Sequence, residues 1–135
     1  MKPLIILLLI TFSTGCAVNY HPVSPAKLIA QPPVVEIDKI AATVTIKRDN
    51  GGFMSALDGR FHFDGVHLIT LSQGEVYTFT ATPGKHTLAV KSIQPMMLVP
   101  IPFHREISTN FESGGKYEYI ISPITSAGLE IVVSK

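Results

Sequence analysis

One cysteine, no tryptophan and a charged fraction of only 16% mark this 135-residue chain by what it does without. A lone thiol excludes a disulfide framework and any multi-thiolate metal site within the chain. Low charge beside 46% hydrophobic residues excludes intrinsic disorder, which needs few hydrophobes and much charge. Eleven basic residues stand against ten acidic ones, so no general electrostatic pull acts toward nucleic acid or anionic headgroups. The length suits one domain. Nothing in the pattern asks for a cofactor.

What is present starts at the N-terminus. Met1-Lys2 is a short positive stretch, and Leu4 to Phe12 is uncharged and largely apolar. These nine residues, at a helical rise of about 1.5 Å each, cover roughly half the bilayer core. The run is too short to span a membrane and reads as the apolar part of an export signal. Ser13-Thr14-Gly15-Cys16 follows, small residues ending at the only cysteine. This resembles the lipobox of bacterial lipoproteins, which implies removal of residues 1–15 and diacylation of Cys16, usually with acylation of the new amine. Ser13 departs from the apolar residue that family usually carries there. Two or three acyl chains hold stably where one binds only marginally. The resemblance therefore implies a membrane partner through the lipid. Ala17, where an Asp would retain the protein at the inner membrane, implies the outer membrane with the domain facing the periplasm. Loss of Lys2 leaves ten bases against ten acids. Acylation leaves no free thiol, which suits an oxidising compartment.

Residues 16–39 carry four prolines (Pro22, Pro25, Pro32, Pro33) without sustained periodicity, and are expected to be a tether. A chain from Ala17 to Lys39 would reach at most about 75 Å stretched and roughly 27 Å as a coil. Ser24-Pro25 suits the start of a short helical turn toward Ala30. From residue 40 to 135 the period becomes two. Ala42 to Lys47 alternates small or branched apolar residues with Thr and Lys, the mark of a half-buried strand. Asp64-Gly65 between alternating runs signals a two-residue hairpin of type I′. It sets Phe63 opposite Val66, His62 opposite His67, Phe61 opposite Leu68 and Arg60 opposite Ile69. Phe61, Phe63, Val66 and Leu68 then form the core face; Arg60, His62, His67 and Ile69 face mainly solvent. Further alternating runs lie at Val76–Ala81, Thr87–Ser92, Arg105–Phe111, Tyr117–Ile121 and Leu129–Val133. About eight short strands without a long helix predict an all-β fold, an antiparallel β-sandwich or related barrel.

Five ordered stretches carry a second resemblance: Ala42 to Arg48, Phe63-Asp64-Gly65, Gly74-Glu75-Val76-Tyr77, Thr82-Pro83-Gly84-Lys85-His86-Thr87-Leu88, and Glu112 to Tyr117. In that order they resemble PEGA-like domains, in particular a family of small bacterial lipoproteins, over roughly residues 42 to 133. The resemblance implies an immunoglobulin- or transthyretin-like sandwich on a lipid anchor, and no catalytic residues. Gly51-Gly52 and an apolar insertion after Ile93 depart from it.

Three groups of residues invite a function. His62 and His67, directly opposed, would have Cβ atoms about 4.5–5.5 Å apart. Two imidazoles at that separation can both ligate Zn²⁺ or Cu²⁺, although no thiolate or carboxylate is placed with them. Asp58, Asp64 and Glu75 offer carboxylates, but each lies at a turn, and no Gly-x-Ser-x-Gly elbow occurs. Ser55 has no base in sequence reach, and His86 should bond or pack locally within its turn. The third group is the apolar run Pro95 to Phe103, with Met96, Met97, Leu98, Val99, Ile101 and Phe103 as the candidate contact residues. Three prolines predict an extended loop of polyproline type. It would either seal an open end of the sandwich or offer a protein or membrane contact. The expected function is that of a lipid-anchored, non-catalytic structural or interaction module with an envelope protein partner. A metal- or small-ligand-binding domain using His62 and His67 is the alternative.

Overall fold

The computed structural model describes residues 19–49, 57–96, 99–124 and 128–134. Nine strands form two sheets. Their ranges are β1 (His21–Pro22), β2 (Ala42–Arg48), β3 (Gly59–Phe63), β4 (Val66–Leu71) and β5 (Glu75–Ala81), followed by β6 (Gly84–Met96), β7 (Val99–Phe111), β8 (Lys116–Ile124) and β9 (Gly128–Val133). Sheet A has the order β1-β5-β2-β8-β9 and sheet B the order β4-β3-β6-β7. The expected all-β sandwich is what forms. Most pairings are antiparallel, but β2 runs parallel to β8 and β1 parallel to β5.

Alternation explains how the layers meet. In β2, Ala42, Val44 and Ile46 are fully buried while Thr43, Thr45 and Lys47 face out. Phe61 and Phe63 from sheet B meet Phe79 from sheet A, the latter pair edge to face at 5.1 Å between ring centroids. Such contacts add to the large area each ring removes from water. Tyr119 also points inward, and its hydroxyl is satisfied across the layers by the Thr109 hydroxyl at 2.8 Å. Asp64 and Gly65 both adopt positive φ, 48° and 81°, as a type I′ turn requires.

The hairpin holds its expected register only near the turn. Phe63 faces Val66 and His62 faces His67, but a bulge then sets Phe61 opposite Ile69 and Arg60 opposite Thr70. Leu68 is the extra residue. Two residues opposite one turn the later side chains over, so Ile69 joins the core at 1% exposure while Val66, beside the turn, is 47% exposed. The expected pairs Phe61–Leu68 and Arg60–Ile69 are thereby corrected. The bulge is also where the N-terminal segment docks. The N–H groups of Ile29 and Ala30 donate to the Leu68 carbonyl, and Leu28 bridges Ile69.

The segment expected as a tether therefore lies along the sandwich for much of its length. β1 adds to β5, and the His21 and Val23 N–H groups donate to the carbonyls of Gly74 and Val76. A 3₁₀ turn at Pro25–Lys27 replaces the turn expected to reach Ala30. Lys27 then donates to Glu75 and to the Ser72 hydroxyl. The segment passes from sheet A to sheet B and covers one lateral side.

The apolar insertion is corrected as well. Pro95 to Phe103 is not a polyproline loop: β6 and β7 pair without interruption from Gly84–Phe111 to Met96–Val99. Pro95 pairs with Pro100 and Ile93 with Pro102. Proline survives here because β7 is an edge strand and because β3 pairs with β6 only as far as Lys91. Beyond that point both outer edges of the hairpin lack a sheet neighbour among the described residues and need no N–H at every position.

Phe63 and Val66 test this packing, since alternation alone puts both on the core face. Phe63→Ala is expected to cost about 3–5 kcal/mol and Val66→Ala under about 1 kcal/mol in urea unfolding. Equal costs would contradict the exposure of Val66 beside the turn.

Candidate interaction surface

The outer face of sheet B carries Arg60, Lys91 and three histidines, His62, His67 and His104. Register places Thr70, Arg60, Lys91 and His104 in one row across all four strands, and His67, His62, Ala89 and Glu106 in the next. Arg60 and Lys91 are directly opposed, an arrangement that costs a sheet stability. Among the described residues neither forms an ion pair with a carboxylate. Glu106 is engaged instead by His104, at 3.4 Å.

His62 and His67 meet as expected but in a geometry ill suited to chelation. Their rings stack, with centroids 4.7 Å apart and planes 13° from parallel. Stacked imidazoles aim their lone pairs side by side, whereas a tetrahedral metal needs them to converge at about 2.0–2.1 Å. His62 Nδ1–H donates to the Arg60 carbonyl at 3.0 Å, and His67 Nε2 lies 3.1 Å from the Thr70 hydroxyl. Burial pushes both imidazoles below the usual histidine range. The cations Arg60 and Lys91, with His104, add to the depression, while a backbone hydrogen bond opposes it in each ring. Among the described residues no group of three or more His, Cys, Asp or Glu side chains is placed to hold a metal ion.

His86 plays a different part. Its Nδ1 lies 2.7 Å from an Asp64 carboxylate oxygen and its Nε2 2.6 Å from the Thr82 carbonyl. Both are acceptors, so His86 bridges the two turns through its two ring nitrogens. The second Asp64 oxygen accepts from the Thr87 N–H at 2.8 Å, and the ring stacks on Phe63 and Phe111. The Asp-Gly hairpin and the Pro-Gly-Lys-His turn, two stretches that carry the sequence resemblance, are thus fastened to each other at one end of the sandwich.

At the opposite end stands Arg48, the last residue of β2, for which the sequence suggested no role. It is fully buried. Its Nη1 donates to the Asp49 carbonyl at 2.9 Å and its Nη2 to the Leu57 carbonyl at 3.1 Å. Burial lowers its proton affinity; the nearby charges of Asp49 and Asp58 act the other way. The signal was available, because Arg48 continues the inward parity of Ala42, Val44 and Ile46.

Two of the three candidate carboxylates come together and the third stands apart. Asp64 is at the His86 end, whereas Asp58 and Glu75 lie at the Arg48 end around Ser72. There the Ser72 hydroxyl donates to Asp58 at 3.2 Å and its N–H to Glu75 at 2.7 Å. Lys27 spends its N–H groups on Ser72 and Glu75, so this cluster pins the N-terminal segment. Of the remaining candidates, Phe103 is half-buried against the core with the Arg105 guanidinium 4.9 Å from its ring centre. Met96, Val99 and Ile101 lie in the paired part of β6 and β7. Cys16, Met97, Leu98, Ser55 and Gly51-Gly52 lie outside the described residues.

Two measurements check these placements. A histidine depressed in the fold leaves the unfolded chain binding more protons once pH falls below about 6.5. Stability is therefore expected to fall between about pH 7.5 and about pH 5.5. The double variant His62→Gln/His67→Gln should lose part of that slope in chemical unfolding. His86→Ala removes a bridging, stacked ring and should cost about 2–4 kcal/mol, with Asp64→Asn costing less because Asp64 is partly solvated.

Comparison of the chain with protein-family models, with curated proteins and with solved structures gives no match.

Proposed function

We propose that this chain is a lipid-anchored lipoprotein of the bacterial envelope, held at the outer membrane through Cys16 and facing the periplasm. Its sandwich is a PEGA-like module that works by presenting surface, as a structural or protein-interaction domain, with no chemistry of its own. The carrying observation is the row of Arg60, Lys91 and His104 across sheet B. Opposed like charges cost stability, and a partner bearing carboxylates repays that cost when it docks. In a mature chain with equal numbers of acids and bases, this concentration on one face is a local feature that total charge conceals. The partner fitted to it is an envelope protein with an acidic surface.

Crosslinking in cells from position 106, exposed in the next row of the same face, is the test. Capture should be lost with Arg60→Glu/Lys91→Glu and should weaken as salt shortens the Debye length from about 10 Å at 0.1 M. Capture that survives charge reversal would refute this face as the contact. Cys16→Ser should move the protein out of the membrane fraction; unchanged partitioning would refute the anchor.

A further inference from the structure

The two ends of the sandwich differ, and the chain arrives from Cys16 at a definite one. β2 ends at Arg48 and β5 begins at Glu75 on the same side, since Lys47 pairs with Val76. β1 runs parallel to β5 with His21 opposite Glu75, so Asn19 and Tyr20 lie beyond Gly74, at the Arg48 end. Sheet B is oriented by Gly59, where a Cβ would lie 3.4 Å from Ile121, the residue paired with Arg48. β6 therefore starts beside the Asp64 turn, runs to Lys91 opposite Arg60, and continues past the Arg48 end. Five further register pairs follow, from Ser92–Phe103 to Met96–Val99. At about 3.4 Å per residue this arm extends about 17 Å beyond the β3 pairing.

Between Ile93 and Pro102 the described positions of the arm are Ile, Gln, Pro, Met, Val, Pro, Ile and Pro, with no charge. The opposite end carries Asp64, Lys85, Glu112 and Ser113, all exposed. Only three peptide steps separate Cys16 from Asn19, a reach of at most about 11 Å. Beside that point lies a groove of about 490 Å³ bordered by Tyr20, Pro22, Val23, Val76 and Tyr77. The Lys47 ammonium stands 5.1 Å from the centre of the Tyr20 ring. Tyrosine and lysine beside an apolar surface suit the headgroup layer of a bilayer.

We infer that the Arg48 end is seated on the lipid surface, with the distal β6–β7 arm as a second, non-covalent membrane contact beside the acylated Cys16. The inference rests on the lipoprotein reading. It replaces a domain swinging on a tether with one standing on the bilayer at two points. The occupant is lipid because the chain leading to Cys16 and the uncharged arm leave the sandwich at the same end.

The test uses the full-length acylated protein in phosphatidylethanolamine/phosphatidylglycerol vesicles. Acylation consumes the native thiol, so Val99→Cys and Glu112→Cys each take a single fluorescent label, at the arm and at the opposite end. Brominated lipid should quench the Val99 label at least twofold more than the Glu112 label, and should blue-shift only the former. Val99→Asp/Ile101→Asp should speed transfer of the acylated protein between vesicles at least fivefold. Equal, weak quenching in protein whose intact mass shows the acyl chains would overturn the seating and leave the lipoprotein reading standing. A label shielded from both water and brominated lipid would overturn it in favour of a protein contact. Absence of acyl mass on Cys16 would overturn both.

Discussion

The inward parity of β2 is the constraint on which the rest of the molecule depends. The strand is bonded on both flanks, antiparallel to β5 and parallel to β8, and its alternate residues fill the space between the sheets. The next inward position is Arg48 instead of a hydrophobe. A guanidinium taken out of water must find acceptors close by, and here the backbone carbonyls of Asp49 and Leu57 supply them. One end of the interlayer space is thus closed by charge-assisted hydrogen bonds. The other is closed by His86 between Asp64 and Thr82, stacked on Phe63 and Phe111. Hydrophobic burial holds the middle, a buried guanidinium holds one end and a hydrogen-bonded, stacked imidazole the other.

Sequence alone revealed what depends on local chemistry. Strand alternation, the Asp64-Gly65 turn and the near-turn pairs His62–His67 and Phe63–Val66 follow from a period of two and a two-residue loop. The bulge at Leu68 did not, because nothing in Val-His-Leu-Ile-Thr-Leu marks one leucine as surplus. The docked N-terminal segment, which bonds to Leu68 and Ile69, selects it. Proline in the arm was misread for a comparable reason. Its exclusion from sheets holds for strands paired on both sides, and edge status is a property of topology. Docking of residues 19–30 was illegible too, since two residues of parallel strand and one 3₁₀ turn leave no periodic trace.

The histidine pair shows how the right contact can carry the wrong chemistry. Direct opposition was legible, and it would bring two ligands within reach of one metal. Ring orientation and the surrounding field were not legible. The Arg60 carbonyl fixes the His62 tautomer, and the rings lie nearly parallel among Arg60, Lys91 and His104. A cation entering there would meet the like charges of Arg60 and Lys91. The same field draws carboxylates, so the electrostatics that disfavour a metal favour an acidic partner.

Anchorage and recognition then share one geometry. Strands run from the Arg48 end to the Asp64 end, so an Arg48 end resting on lipid stands the sheets upright on the bilayer. The outer face of sheet B becomes a side wall, with the Arg60–Lys91–His104 row running across the strands and therefore along the membrane. A partner held at the same membrane would meet this row by lateral diffusion, already at a matching height. A domain on a long tether would have to search through all orientations first. Folding residues 19–30 onto β5 and β4 removes much of that freedom before binding, and lowers the ordering cost that weakens association between flexibly held surfaces.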